Sequence, residues 1–338
     1  KSKNWTIRNL LLFKKNEPLD SLIVKESERL IRRQRYTRSV IIKPVEIPGS
    51  RDSVDISIRV LDTWSLIPNG ALSTSQGNFE LTERNFLGLG HEFRNDYTRR
   101  FDTGRDAYLG KYSINNIKNT FINASLTYEN SLNNYTTKNA RIERQFFSPL
   151  TRLAGGVFFE KRFFIDSLPN NSGVFNNQNF KLDSQEYWLG HSFKIFKGKN
   201  EDFRTTNLVT TIGFKNIKYL QTPELVYDPT RFFANEKLYL ATIGLNTRKF
   251  AEDKYLFNFG IIEDIPYGQV YAITGGFQEK NNIQRTYLGD RFAYGDYFSF
   301  GYLSTNIEWG SFFNNGCTEE TTFRIEGNYF TNLLNMGD

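Results

Sequence analysis

Apolar and polar residues alternate along most of this chain. Over 120–129, Ile122, Ala124, Leu126 and Tyr128 fall on one side of an extended segment, with Asn123, Ser125, Thr127 and Glu129 on the other. Over 301–310, Leu303, Thr305, Ile307 and Trp309 oppose Tyr302, Ser304, Asn306 and Glu308. Over 321–328, Phe323 and Ile325 oppose Arg324, Glu326 and Asn328, and over 255–262 Tyr255, Phe257, Phe259 and Ile261 share one face. Successive side chains of a strand point to opposite faces, so a period of two predicts β-structure with two unlike faces. Weaker alternation at 91–101, 106–116, 138–147, 151–164, 185–196, 204–218 and 237–249 extends the series, with Asn-, Gly- and Asp-rich turns between segments. From Trp64 onward no segment predicts a helix.

The first sixty residues read differently. In "PLDSLIVKESERLIRRQRY", Asp20 or Ser21 can cap a helix whose apolar positions Ile23, Leu30 and Ile31 recur near helical spacing. "SVIIKPVEI", a Pro-Gly-Ser turn and "DSVDISIRVLD" then predict a hairpin, with Val54, Ile56, Ile58 and Val60 on its buried face. A run of four apolar residues, Leu10 to Phe13, precedes the helix and suggests an earlier helical piece. The order helix, helix, strand, strand makes a small α+β module over 1–62, and the chain reads as starting partway through it.

Strand length decides between architectures. Ordinary sandwich strands are about 5–6 residues long. These segments run nearer the roughly 9–11 residues that a tilted strand needs to cross a bilayer. Aromatic pairs such as Phe146 and Phe147, Phe163 and Phe164, Tyr297 and Phe298, and Phe312 and Phe313 collect near expected strand ends, as interfacial girdles do. No stretch approaches the roughly 18 apolar residues of a membrane helix. A mean hydropathy of −0.51 is compatible with a transmembrane barrel, whose two faces average out. The membrane reading puts Leu126 and Ile307 toward lipid and Ser125 and Glu308 toward the interior, although alternation alone does not say which face is outside.

Composition narrows the chemistry. With His91, His191 and Cys317 as the whole complement of His and Cys, the chain predicts no disulfide framework, no metal site and no Cys-His nucleophile. The net charge of +6 predicts ordinary solvated Lys and Arg. The densest basic cluster, Arg29, Arg32, Arg33, Arg35 and Arg38, is continued by nothing elsewhere, so no nucleic-acid partner is expected. "ERNFLGLGHEF" (83–93) has the glycines of a phosphate loop, but "HEFRNDYTRRF" (91–101) reads as a strand at the place where such a loop needs a helix.

"ESERLIRRQRYTRSVIIKPVEIPGSRDSVDISIRVLD" resembles the second half of a polypeptide-transport-associated (POTRA) domain. "TWSLIPNGALSTSQGNFELTERNFLGLGHEF" resembles the entry into the barrel of the BamA/TamA superfamily of outer-membrane assembly factors and translocators. Asn85, Phe86, Leu87, Gly88 and Gly90 match that superfamily's turn between early barrel strands. Two departures stand out. The family's late Arg-Gly-aromatic motif is absent, with "GDRFAYG" (289–295) the nearest string, and about 13–14 strand candidates fall short of the roughly sixteen with which such barrels close.

The resemblance implies a partial periplasmic POTRA-like domain over 1–62 and a mainly β, transmembrane antiparallel β-barrel over 63–338, lacking its last strands. It places the chain in the outer membrane of a Gram-negative bacterium. Its partners would be unfolded outer-membrane protein substrates, outer-membrane lipid, and periplasmic or lipoprotein accessory subunits. It implies no enzymatic activity, no catalytic residues and no cofactor. Leu66, Ile67, Pro68, Gly70, Leu72 and Thr74 match the first barrel strand. They form the candidate gate, weakened by Pro68 and Gly70, through which an incoming strand would pair. The alternative from the same architecture is a passive pore or secretion channel.

Overall fold

The computed structural model describes residues 1–50, 52–198 and 200–333. In chain order they form α1 (Asn4–Arg8), α2 (Ser21–Arg32), β1 (Thr37–Glu46), β2 (Val54–Asp62), β3 (Leu66–Leu72), β4 (Gln76–Phe86), β5 (His91–Arg100), β6 (Asp106–Ile114), β7 (Asn123–Asn130) and β8 (Thr136–Arg144). There follow β9 (Leu153–Pro169), β10 (Phe175–Lys194), α3 (Glu201–Thr205), β11 (Thr206–Gln221), β12 (Glu236–Lys254), β13 (Ile262–Lys280), β14 (Ile283–Phe298), β15 (Gly301–Asn314) and β16 (Cys317–Phe330). β1 and β2 make a two-stranded sheet, and β3 to β16 succeed one another in a 14-stranded antiparallel sheet in strict chain order. The protein is mainly β. Among the described residues no helix is long and apolar enough to cross a membrane. The chain divides into two compact units, Lys1–Glu143 with Lys254–Glu263, and Arg144–Asp253 with Asp264–Asp338.

In the first unit the expected order helix, helix, strand, strand is present. Asp20 caps α2 by accepting the Leu22 and Ile23 N–H groups at 3.0 and 3.2 Å. The helix buries Leu22, Leu30 and Ile31 against Val40 and Ile42 of β1, with Tyr36 and Leu10 completing this small core. Ser27, fully buried, donates to the Ile23 carbonyl (2.8 Å) and accepts the Leu12 N–H (2.9 Å), which fastens the chain after α1 to α2. Glu28 accepts the Ile42 N–H at 3.2 Å. The basic cluster is solvated only in part: Arg33, Arg35 and Arg38 are exposed, whereas Arg29 and Arg32 are buried in ion pairs. Arg29 is 4% exposed and gives Glu26 two hydrogen bonds of 3.0 and 2.9 Å, and Arg32 pairs with Glu28 at 3.4 Å. The reason is spacing, since each carboxylate lies three or four positions before its partner on one helical face.

β3 to β8 are 7–11 residues long and pair as a meander. In the second unit β9 to β13 run 16–20 residues. Here the alternation at 185–196 marks only the final part of a strand that begins at Phe175.

Two expectations are corrected. The alternating stretch 255–262 is a loop between β12 and β13 for all but its last residue. Tyr255 adopts a positive φ of 65°, and the Glu263 carboxylate gathers the Leu256 and Phe257 N–H groups and the Asn258 amide, so the backbone turns on a side chain and forms no ladder. Its Phe257 and Phe259 are exposed. The second correction is α3, a single helical turn capped by Asn200, where no helix was expected. Residues 334–338, the end of the region assigned to the barrel, lie outside the described residues.

Candidate functional site

β3 carries Leu66, Ile67, Pro68, Gly70 and Leu72 of the candidate gate. Thr74, expected on the same strand, lies instead in the hairpin turn, where the Ser73 N–H donates to the Gln76 carbonyl (2.8 Å). β3 pairs with β4 from Leu66↔Glu83 to Leu72↔Gly77, and among the described residues with no other strand. The Arg84 N–H donates to the Ser65 carbonyl at 2.9 Å. This bond and the one at Ser73 lie on the same register. Bonded and non-bonded pairs alternate in an antiparallel ladder, so Ser65, Ile67, Asn69, Ala71 and Ser73 aim their backbone groups at β4. Leu66, Pro68, Gly70 and Leu72 aim theirs at the open edge. Pro68 therefore takes nothing from the β3–β4 ladder; the donor it lacks is missing from the edge. The Gly70 N–H, next along that edge, is occupied by the Asn69 side-chain oxygen at 2.9 Å. The two central donors of the edge are thus masked, one by ring closure and one by a neighbour's amide, in the manner of protected edge strands.

The turn raised by "NFLGLG" joins β4 to β5, with Leu87, Gly88 and Gly90 at φ of 53°, 77° and 73°. The element that follows it is the strand β5 and not a helix, so the turn lacks phosphate-loop geometry. Asn85, buried, organises the turn: the Gly90 N–H donates to its Oδ1 (2.7 Å), and its own amide donates to Ser2 Oγ (2.9 Å). Ser2 Oγ in turn donates to Asp62 at the end of β2 (2.9 Å), and the Ser2 N–H reaches the same carboxylate at 2.6 Å. From the other side, the Lys3 N–H and Thr6 Oγ1 both donate to the Gly88 carbonyl, at 3.0 and 2.8 Å. Gly88 is required twice over, because its φ favours glycine and a Cβ there would lie 2.5 Å from the Lys1 carbonyl oxygen. Tyr36 closes the latch beneath Gly90; burial, with Asp62 nearby, pushes its hydroxyl well above the usual tyrosine range. This turn fastens the α+β module to the early strands, with further contacts from the Asn116 amide to the Asn9 carbonyl (2.7 Å) and from Arg35 to Glu92 of β5 (3.2 Å). Ser2, Thr6, Asp62 and Asn69 had no signal in the sequence, because their partners are adjacent in the fold or masked by local geometry. Asn85→Ala is expected to orphan the Gly90 N–H and release Ser2, at a cost of about 1–3 kcal/mol. Faster hydrogen exchange at Gly88–Gly90 with unchanged exchange in β7 is the corresponding measurement.

The two faces of the strands differ in kind. In the first unit one face carries Asn78, Glu80, Arg94, Asp96 and Thr98, knitted across strands: the Asn78 amide donates to Asp96 (2.6 Å) and Thr98 (2.8 Å), and Arg94 pairs with Glu80 (3.1 Å). The opposite face exposes Phe79, Phe93, Tyr97, Tyr108, Leu126, Tyr128 and Ile142. In the second unit Glu308 sits between Arg291 (3.3 Å) and Arg324 (3.9 Å) on one face. Leu153, Leu189, Ile212, Ile243 and Ile273 are exposed on the other, each more than half accessible. Burying apolar residues and exposing charge is the rule in water; here charges pair across strands on one face and large apolar side chains stand exposed on the other. His191 lies on this apolar face against Phe193, ring centroids 4.3 Å apart, and His91 bonds Tyr112 Oη at 2.6 Å.

No family model matches the chain, and neither does any curated protein. Among solved structures it is similar to CdiB from Acinetobacter baumannii, at 9% identity over 97% of this chain and 64% of that one, with a TM-score of 0.42. It is also similar to BamA from Haemophilus ducreyi lacking POTRA domains 1–3, at 12% identity over 97% of this chain and 82% of that one, with a TM-score of 0.35. The chain thus spans less than two thirds of the CdiB chain.

Proposed function

We propose that this protein is an outer-membrane β-barrel assembly factor or translocator whose β3 edge receives an incoming strand. Residues 1–62 act as a POTRA-like periplasmic module, and the sheet beginning at β3 sits in the outer-membrane lipid. The work is non-enzymatic and takes no cofactor; the driving energy is the folding of the substrate itself.

The observation that carries this reading is the state of the β3 edge. The edge is open, but Pro68 and the Asn69–Gly70 contact leave it donor N–H groups only at its outer positions, Leu66 and Leu72. Such a strand holds a neighbour weakly and releases it cheaply, as a gate must, while a fully donating edge would bind irreversibly or aggregate. The latch at Asn85 supports the reading by keeping the module beside this edge.

A photo-crosslinking side chain at Leu72, in the full chain reconstituted with an unfolded outer-membrane protein, is expected to capture the substrate. The same group at Leu126, on the outer face of β7, is expected to capture lipid. The reconstituted chain should also raise the rate at which the substrate becomes protease-resistant above that of protein-free vesicles. Conductance without acceleration or capture would replace this reading with the passive pore.

A further inference from the structure

The outer face of the second unit is layered. Along β9 to β13 the aliphatic side chains Leu189, Ile212, Ile243 and Ile273 give way to a row of rings: Phe159, Tyr187, Phe214, Tyr239 and Phe277. Each ring touches the next, with centroids 5.8, 6.3, 4.9 and 4.8 Å apart, so five consecutive strands share one aromatic ladder. Immediately past it on the same face come Lys161, Lys218 and Lys237. Lys161 and Lys218 both face Asp183 across the strands, and Lys237 lies beside Glu279. Lys161 reaches Asp183 at only 3.8 Å and Lys237 reaches Glu279 at 3.6 Å, and among the described residues Lys218 has no ion-pair partner. The lysines outnumber the carboxylates, and all three are exposed.

Aliphatic band, ring row and cationic row follow the order of a leaflet: hydrocarbon, interface and headgroup. We propose that this lysine row binds the phosphate groups of anionic lipids in the adjoining leaflet, the rings fixing the depth at which the headgroups meet Lys161, Lys218 and Lys237. The occupant is a lipid phosphate and not a free anion, because the site is continuous with the apolar face that would hold the acyl chains. The inference rests on the membrane reading above and names the lipid chemistry which that reading leaves open.

The test uses the full chain in phosphatidylcholine vesicles carrying a trace of spin-labelled phosphatidylglycerol or spin-labelled phosphatidylcholine. Motionally restricted label reports lipid at the protein surface. The unaltered chain is expected to prefer phosphatidylglycerol about fivefold, the scale of one basic side chain at an anionic surface. Lys161→Gln/Lys218→Gln/Lys237→Gln is expected to bring the preference close to one, while Arg162→Gln/Lys215→Gln, on the opposite face of the same strands, leaves it intact. Inorganic phosphate at matched ionic strength is expected to leave it intact as well. Loss of preference on adding phosphate, or an unchanged preference in the triple variant, overturns the proposal while the membrane reading stands. A chain that does not float with vesicles at all overturns both.

Discussion

Arg29→Ala is expected to destabilise the α+β module by about 3–5 kcal/mol, the cost of removing one partner from a buried ion pair. Arg29 and Glu26 have side chains 5% and 7% exposed, and two hydrogen bonds join them. The attraction between them is not the source of this number. Taking both charges out of water costs roughly what their interaction returns, so the pair contributes little net stability. Alanine at 29 leaves the buried Glu26 carboxylate without the guanidinium that offsets its desolvation. A double replacement, Glu26→Leu/Arg29→Met, removes both charges at similar volume and is expected to restore stability to within about 1 kcal/mol of the parent. Hydrogen exchange of the α2 amides in the full chain separates the outcomes. If the single and double variants lose equal protection, the pair is not an isolated charge couple and the argument fails.

The parts of the fold visible in the sequence are those set by local chemistry. Asp20 caps α2 because its side chain reaches its own helix N-terminus two and three residues on. Gly88 and Gly90 mark the β4–β5 turn because the backbone there needs positive φ. Alternation located most strands, but it failed at 255–262, where Tyr255, Phe257 and Phe259 alternate without any partner strand. Periodicity records a preference for two unlike faces, and pairing requires a neighbour as well. Of the aromatic pairs expected near strand ends, Phe146 and Phe147 follow β8 directly, Tyr297 and Phe298 close β14, and Phe312 and Phe313 lie at the end of β15, but Phe163 and Phe164 lie inside β9. The ladder from Phe159 to Phe277 is built instead from single rings on five strands. No window of one strand could reveal it. The candidate site shows the same division. Pro68 was legible as a missing donor, but which side of β3 loses it depends on the phase of the hydrogen bonds to β4. The masking of Gly70 by Asn69 is a contact between neighbours that composition does not record.

Leu126→Arg is expected to cost about 2–4 kcal/mol, and Ser125→Arg less than about 1 kcal/mol, although the two positions are adjacent in β7. Leu126 is 61% exposed on the apolar face, opposite Tyr112 on one side and Ala140 on the other. In a bilayer that face meets hydrocarbon, where a guanidinium has no water to replace its hydration. Ser125 points to the other face, between Ser113 of β6 and Arg141 of β8. An arginine there meets a like charge directly across from it, a penalty limited by Glu143, which already lies 3.4 Å from Arg141. In water the expectation is different in kind: an exposed Leu126 replaced by arginine changes little, as surface substitutions do. The comparison therefore tests which medium the apolar face meets. The measurement is reversible urea unfolding of the full chain in phosphatidylcholine vesicles, followed by tryptophan fluorescence. A near-equal loss for the two variants would mean that the exposed face of β7 is not in lipid, and the assignment of inside and outside would fall for the whole first unit.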